Sequence, residues 1–140
     1  MENKCIVLAD KHQNILEGLR GLLETVFGSV VMVADQPSLV EALNKLQPQV
    51  AIIDLSLLGH GNLTVCEINK RFSDTRIIIM SDYSEPDLVA DLMSAGIAGF
   101  VLKQYAGIDL FEAIKKVQEG QTYISPTRNR CDTQNTKERE

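Results

Sequence analysis

Apolar runs of strand length alternate along the chain with stretches whose apolar residues recur every three or four positions. Cys5, Ile6, Val7, Leu8 and Ala9 form the first run. Ile15, Leu16, Leu19, Leu22, Leu23, Val26 and Phe27 follow at helical spacing. Residues 30–34 make a short β-branched run. The next helix has Pro37 near its first turn, where a missing N–H costs little; Leu39, Ala42, Leu43 and Leu46 form its face, and Pro48 stops it. Val50, Ala51, Ile52 and Ile53 are apolar without interruption up to Asp54, the signature of a strand buried on both faces. After Gly59, His60 and Gly61 the pattern predicts a helix over residues 65–72, a strand from Arg76 to Met80 ending at Ser81, and a helix over 88–95 closed by Gly96. Gly99, Phe100, Val101 and Leu102 form a fifth strand ending at Lys103, and Ile108, Phe111, Ile114 and Val117 mark a last helix that Gly120 ends.

Five strands alternating with five helices predict a doubly wound α/β domain with a parallel sheet. In such sheets function gathers at the carboxyl ends of the strands. Asp10, Asp54, Ser81 and Lys103 each end a strand run, so they converge on one rim although they are distant in the chain. A carboxylate there can accept a phosphoryl group, an ammonium can neutralise phosphate charge, and a hydroxyl can bond a phosphoryl oxygen. Any one of these residues has a plainer reading: Asp54 alone would be a turn cap. The set of four in register favours phosphate chemistry.

The bulk properties narrow the setting. The 140 residues suffice for one domain, and 44% hydrophobic with 24% charged residues is ordinary for a globular protein. No apolar run reaches the ~20 residues of a membrane span, and the first residues lack the features of a signal peptide, so a cytoplasmic location is expected. A net charge of −5 argues against direct nucleic-acid binding by this domain. Cys5, Cys66 and Cys131 suit reduced thiols rather than a disulfide frame or zinc site, with Cys5 read as a small buried hydrophobe. No histidine is placed as a base for Ser56, so a hydrolase triad is disfavoured and no enzyme activity is expected. Glu112, Lys115, Lys116 and Glu119 read as a solvated helix face, with a homodimer surface left open. Residues 127–140 are polar and charged without periodicity, which reads as a linker or tail.

Several stretches together resemble the receiver domain of two-component response regulators, over roughly residues 3–125. Ile6-Val7-Leu8-Ala9-Asp10-Lys11-His12 is similar to the family's first strand and acidic pair. Leu16-Glu17-Gly18-Leu19-Arg20-Gly21-Leu22-Leu23 resembles the first helix of the LuxR/NarL-type subfamily. Ile53-Asp54-Leu55-Ser56-Leu57-Leu58-Gly59 resembles the phosphorylation loop, and residues 95–103, ending in Phe100-Val101-Leu102-Lys103, the fifth-strand motif. The resemblance implies a flavodoxin-like five-stranded sheet of order 2-1-3-4-5. It implies that Asp54 accepts a phosphoryl group from a cognate histidine kinase, and that Asp10, Asp54 and the Ser56 backbone carbonyl hold Mg²⁺. Ser81 would turn toward the phosphoryl group, Lys103 would pair with it, and Phe100 would be the aromatic switch. Thr136-Lys137-Glu138-Arg139-Glu140 resembles the opening of a LuxR-type helix-turn-helix domain. The expected organisation is therefore a receiver over residues 1–125 and a linker over 126–140 leading to a C-terminal DNA-binding domain that this chain lacks.

Lys11 departs from the family, standing where a second Asp or Glu is usual. An ammonium cannot ligate Mg²⁺, which takes oxygen donors, and the exchange moves local charge by two units. Two unit charges 4 Å apart interact by ~4 kcal/mol at an effective dielectric of 20, so weak or absent Mg²⁺ binding is expected. Leu58 replaces the usual loop proline, and Asp82 follows the switch serine where a less charged residue is usual. Two arrangements stay open: Lys11 mimics the metal by pairing with Asp54, or Asp82 supplies a replacement carboxylate. The alternative to a phosphorylated receiver is a phosphorylation-independent pseudo-receiver acting as a protein-interaction module. His12 reads as structural at the helix entry and His60 as a loop residue.

Overall fold

The computed structural model describes residues 5–11, 13–25, 27–58, 64–83 and 85–126. Strand and helix alternate: β1 (Cys5–Ala9), α1 (Gln13–Glu24), β2 (Ser29–Val33), α2 (Gln36–Leu46), β3 (Val50–Asp54), α3 (Val65–Arg71), β4 (Arg76–Ser81), α4 (Pro86–Ser94), β5 (Gly99–Leu102), α5 (Ala106–Gln118) and β6 (Tyr123–Ile124). Short 3₁₀ turns at Leu55–Leu57 and Lys103–Tyr105 follow β3 and β5 directly. All strand pairings are parallel.

The sheet has six strands in the order β2-β1-β3-β4-β5-β6, which corrects the expected five. The added strand, β6, is two residues long, too short for hydrophobic periodicity to reveal. Backbone bonds place it: Tyr123 N–H donates to Ala98 C=O at 3.1 Å and Ser125 N–H to Phe100 C=O at 2.8 Å.

Both faces of the sheet are covered. One core gathers Ile6, Leu8, Ile52, Ile78, Met80 and Val101 with Leu110, Ala113, Ile114 and Val117 of α5. The other gathers Val7, Ala51, Ile53, Ile77, Ile79 and Phe100 with Leu39, Leu43, Ile68 and Leu92. Alternate residues of one strand enter opposite cores, which is why β3 and β4 are continuously apolar. Leu22, Leu46 and Ile108, expected on buried helix faces, are instead 47%, 43% and 69% exposed. In α5 the buried positions are Ala106, Asp109, Leu110, Ala113, Ile114 and Val117, so its inner face is rotated from the expected one and includes an acid. Cys5 is half-buried rather than buried, and Cys66 is exposed. Cys131, His12 and His60 lie outside the described residues.

Local signals set the helix ends. Asp35 caps α2 by accepting from Ser38 N–H at 2.8 Å, and Gln47 takes a left-handed conformation at its end (φ 45°), with Pro48 following. Thr64 and Glu67 form a reciprocal capping box at α3. Gly96, with φ 98°, ends α4 as the pattern predicts. No described helix is long and apolar enough to cross a membrane.

Gly96 serves two needs. Its positive φ strains any L side chain, and a Cβ there would run into the Asn69 carboxamide, which donates to Ala95 C=O at 3.2 Å. Gly96→Ala is expected to lower stability by about 1–2 kcal/mol, read as a lower urea midpoint with an unchanged slope.

Candidate functional site

The strand registers bring the rim together. Ala9 pairs with Ile53, so Asp10 and Asp54, the next residues of each chain segment, stand side by side. Ser81 pairs with Leu102, and Lys103 follows at once. Asp10 is 0% exposed and Asp54 3% exposed, each buried among strand ends and the turns that leave them.

Lys103 joins the two acids. Its Nζ lies 2.8 Å from Asp10 Oδ2 and 3.3 Å from Asp54 Oδ1, with only 6% of the side chain exposed. Ser56 Oγ donates to Asp54 Oδ2, so both oxygens of Asp54 have a donor from the chain. Burial works against the Lys103 ammonium. The hydrogen bond to Asp10, the charges of Asp54 and Asp10, and the hydrogen bond to Asp54 outweigh it and hold the lysine pKa above its ordinary 10.5. The ammonium is therefore charged throughout the neutral range, and the buried pairing is complete there.

The other expected residues fall in distinct places. Ser81 is buried (3% exposed), but its Oγ accepts from Tyr83 N–H at 3.0 Å and so is bound to its own loop. Phe100 is fully buried in the core on one sheet face. Lys11 and Asp82 are both exposed. The cation found beside Asp54 is Lys103, so the expected pairing of Lys11 with Asp54 is not the arrangement seen among the described residues. Exposure also reduces what the Lys11 charge can do, because unit charges 4 Å apart interact by only ~1 kcal/mol in bulk water. Leu58 is buried at 4% exposure, so the position usual for proline is filled by an apolar anchor.

Two features escaped the sequence reading. Ser56 had been assigned a role through its carbonyl, whereas its hydroxyl reaches Asp54; only the two-residue spacing hinted at this. Asp109 and Ser125 are buried polar residues, 2% and 8% exposed. The signal for Asp109 was its spacing of three from Ala106 and four from Ala113, which sets it on the inner face of α5.

The doubly wound fold and this acidic rim are those of a signal-receiver class of domain, and the comparisons agree. The response regulator receiver domain family matches residues 6–115, and the chain belongs to that family. It is similar to the transcriptional regulatory protein DegU of Brevibacillus brevis, with 30% identity over 129 residues covering 89% of this chain and 55% of DegU. It is similar to the transcriptional regulatory protein RcsB of Escherichia coli (strain K12), with 31% identity over 129 residues, 88% of this chain and 60% of RcsB. The chain thus spans somewhat over half the length of these relatives. The crystal structure of the non-phosphorylated receiver domain of RcsB from Escherichia coli superposes with a TM-score of 0.77 at 31% identity, covering 90% of this chain and all of that one.

Receiver domains generally bind Mg²⁺ at the acidic pocket. By the family's pattern the carboxylates of Asp10 and Asp54 and the backbone carbonyl of Ser56 would hold it. Among the described residues no group of three or more acids, histidines or cysteines gathers as a metal site. The Lys103 ammonium already contacts both acids, and the exposed Lys11 contributes no oxygen. This donor set fits a tightly held Mg²⁺ poorly.

Breaking a buried ion pair by removing one partner leaves an uncompensated charge and costs about 3–5 kcal/mol. Lys103→Ala is expected to lose that much stability at neutral pH in urea denaturation. In the unaltered chain the lysine's contribution is fully present below about pH 10.5, the unfolded value, and is lost as pH rises through the higher folded-state pKa. A urea midpoint followed from pH 8 upward therefore falls only beyond about pH 10.5 on account of this group.

Proposed function

We propose that this chain is the signal receiver of a two-component transcriptional response regulator, taking a phosphoryl group at Asp54 and controlling an attached DNA-binding domain. The observation that carries the reading is the buried cluster of Asp10, Lys103 and Asp54 at the carboxyl ends of three parallel strands. A cognate histidine kinase would be the donor. An oxygen of Asp54 attacks the phosphorus, the bond from phosphorus to the donor's histidine nitrogen breaks, and the imidazole leaves. Lys103, already within 3.3 Å of Asp54, is the group that pairs with the new phosphate charge. Ser81 would exchange the Tyr83 amide for a phosphoryl oxygen, and Phe100, packed behind it in the core, would pass the change to the adjoining face. Residues 1–125 form the receiver in this reading, and 126–140 the linker toward the DNA-binding domain. Output would be altered dimerisation or altered release of that domain.

Lys11 makes the pocket atypical. In the place of a second acid it brings a second ammonium, so Asp10, Asp54, Lys103 and Lys11 sum to 0 where an acid at residue 11 would give −2. Asp54 therefore meets a less negative, metal-poor surrounding. The same facts support a second reading, in which both Asp54 oxygens stay engaged by Ser56 and Lys103 and the domain works as a phosphorylation-independent interaction module.

Incubation with acetyl phosphate and Mg²⁺, followed by intact mass, separates the two. The receiver reading expects the gain of one phosphoryl group, abolished by Asp54→Ala. Lys11→Asp is expected to tighten Mg²⁺ binding at least tenfold in a titration, the worth of about 1.4 kcal/mol. No mass gain in the chain or in Lys11→Asp would leave the interaction module as the reading; an unchanged Mg²⁺ affinity would mean Lys11 is not what weakens the site.

A further inference from the structure

Asp109 and Ser125 are buried and take no part in the cluster around Asp54. Asp109 lies on the inner face of α5, and Ser125 follows β6 directly. Ser125 Oγ donates to Asp109 Oδ2 at 2.8 Å and accepts from Leu102 N–H at 3.1 Å. A hydroxyl carries one proton. With that proton committed to Asp109, a lone pair of Oγ is turned to the Leu102 amide.

The position of that amide matters. The rungs between β5 and β6 run from Tyr123 N–H to Ala98 C=O and from Ser125 N–H to Phe100 C=O. Leu102 is the next residue of β5 in that alternation, and there the Ser125 side chain acts as acceptor. Leu102 immediately precedes Lys103. The last backbone bond before the site lysine is therefore made to a side chain at the point where the chain leaves the domain.

We propose that Ser125, oriented by Asp109, is a positioning residue for Lys103, and that these bonds tie the Asp54 site to the segment following β6. The inference on phosphotransfer rests on the receiver reading above; the inference on Lys103 itself does not. Loss of the Leu102 bond lets the end of β5 loosen, and the Nζ is then held less firmly between Asp10 and Asp54.

The test uses the 140-residue chain with Ser125→Ala, with Ser125→Thr to keep the hydroxyl, and with Asp109→Ala to remove its acceptor. Ser125→Ala is expected to speed amide exchange at Leu102 about fivefold to tenfold, the worth of one net hydrogen bond. It should also weaken the NOEs that tie the Lys103 side chain to Asp10 and Asp54 and slow phosphoryl gain from acetyl phosphate. Ser125→Thr should restore all three, and Asp109→Ala should shift them as Ser125→Ala does. Faster Leu102 exchange with unchanged Lys103 NOEs would overturn the proposal, since Ser125 would then only close the sheet. Unchanged Leu102 exchange would overturn it as well, and an effect confined to Ser125→Ala would remove Asp109 from it. If the unaltered chain gains no phosphoryl group, the receiver reading fails separately, and the Lys103 NOEs decide the positioning role.

Discussion

A single ammonium between two buried carboxylates is the constraint to which the rest of the molecule answers. Burying Asp10 and Asp54 side by side would be prohibitive without a compensating cation, because desolvated charges must be paired and hydrogen-bonded. Lys103 supplies it, from a residue 49 positions beyond Asp54. The compensation works only if β1, β3 and β5 end at the same level, which the registers of the parallel sheet secure. A slip of one residue in any of them would turn its side chains to the opposite face and separate the charges. The largely apolar cores on both faces hold that register.

The cluster also explains why the exchange at residue 11 is tolerated. A second acid would add negative charge to a rim that one lysine already has to neutralise. With Lys11 exposed at the edge, the pocket closes on itself through Lys103 and Ser56. Function and stability then depend on the same contacts, and a phosphoryl group entering at Asp54 would have to compete with them.

Much of this was legible in the residues. Uninterrupted apolar runs in β3 and β4 declared a sheet covered on both faces, and Asp54, Ser81 and Lys103 at run ends declared the rim. Gly96 and Gly120 marked helix ends and carry positive φ values. What stayed hidden has physical causes. β6 is held by pairing to β5 rather than by its own pattern. The inner face of α5 keeps Ile114 and Val117 but contains Asp109 and excludes Ile108, so hydrophobicity alone found only part of it. The cation beside Asp54 is the lysine that ends β5; the pairing from Lys11, one of two arrangements left open, followed from its place in the usual acidic pair, and the exposure of that residue could not be read from the sequence.

Sheet order has a temporal consequence. The strands lie β2-β1-β3-β4-β5-β6, so after β2 each new strand is laid at one growing edge in the order of synthesis. Both acids are present once β3 has been made, while their counter-charge arrives with residue 103 and its last backbone bond with residue 125. Parallel pairings span long separations and are intrinsically slow to form. A chain still emerging from the ribosome therefore passes through a stage in which two adjacent carboxylates have no lysine. Until then, closure of β1 on β3 would set Asp10 beside Asp54 without the ammonium that the finished fold places between them.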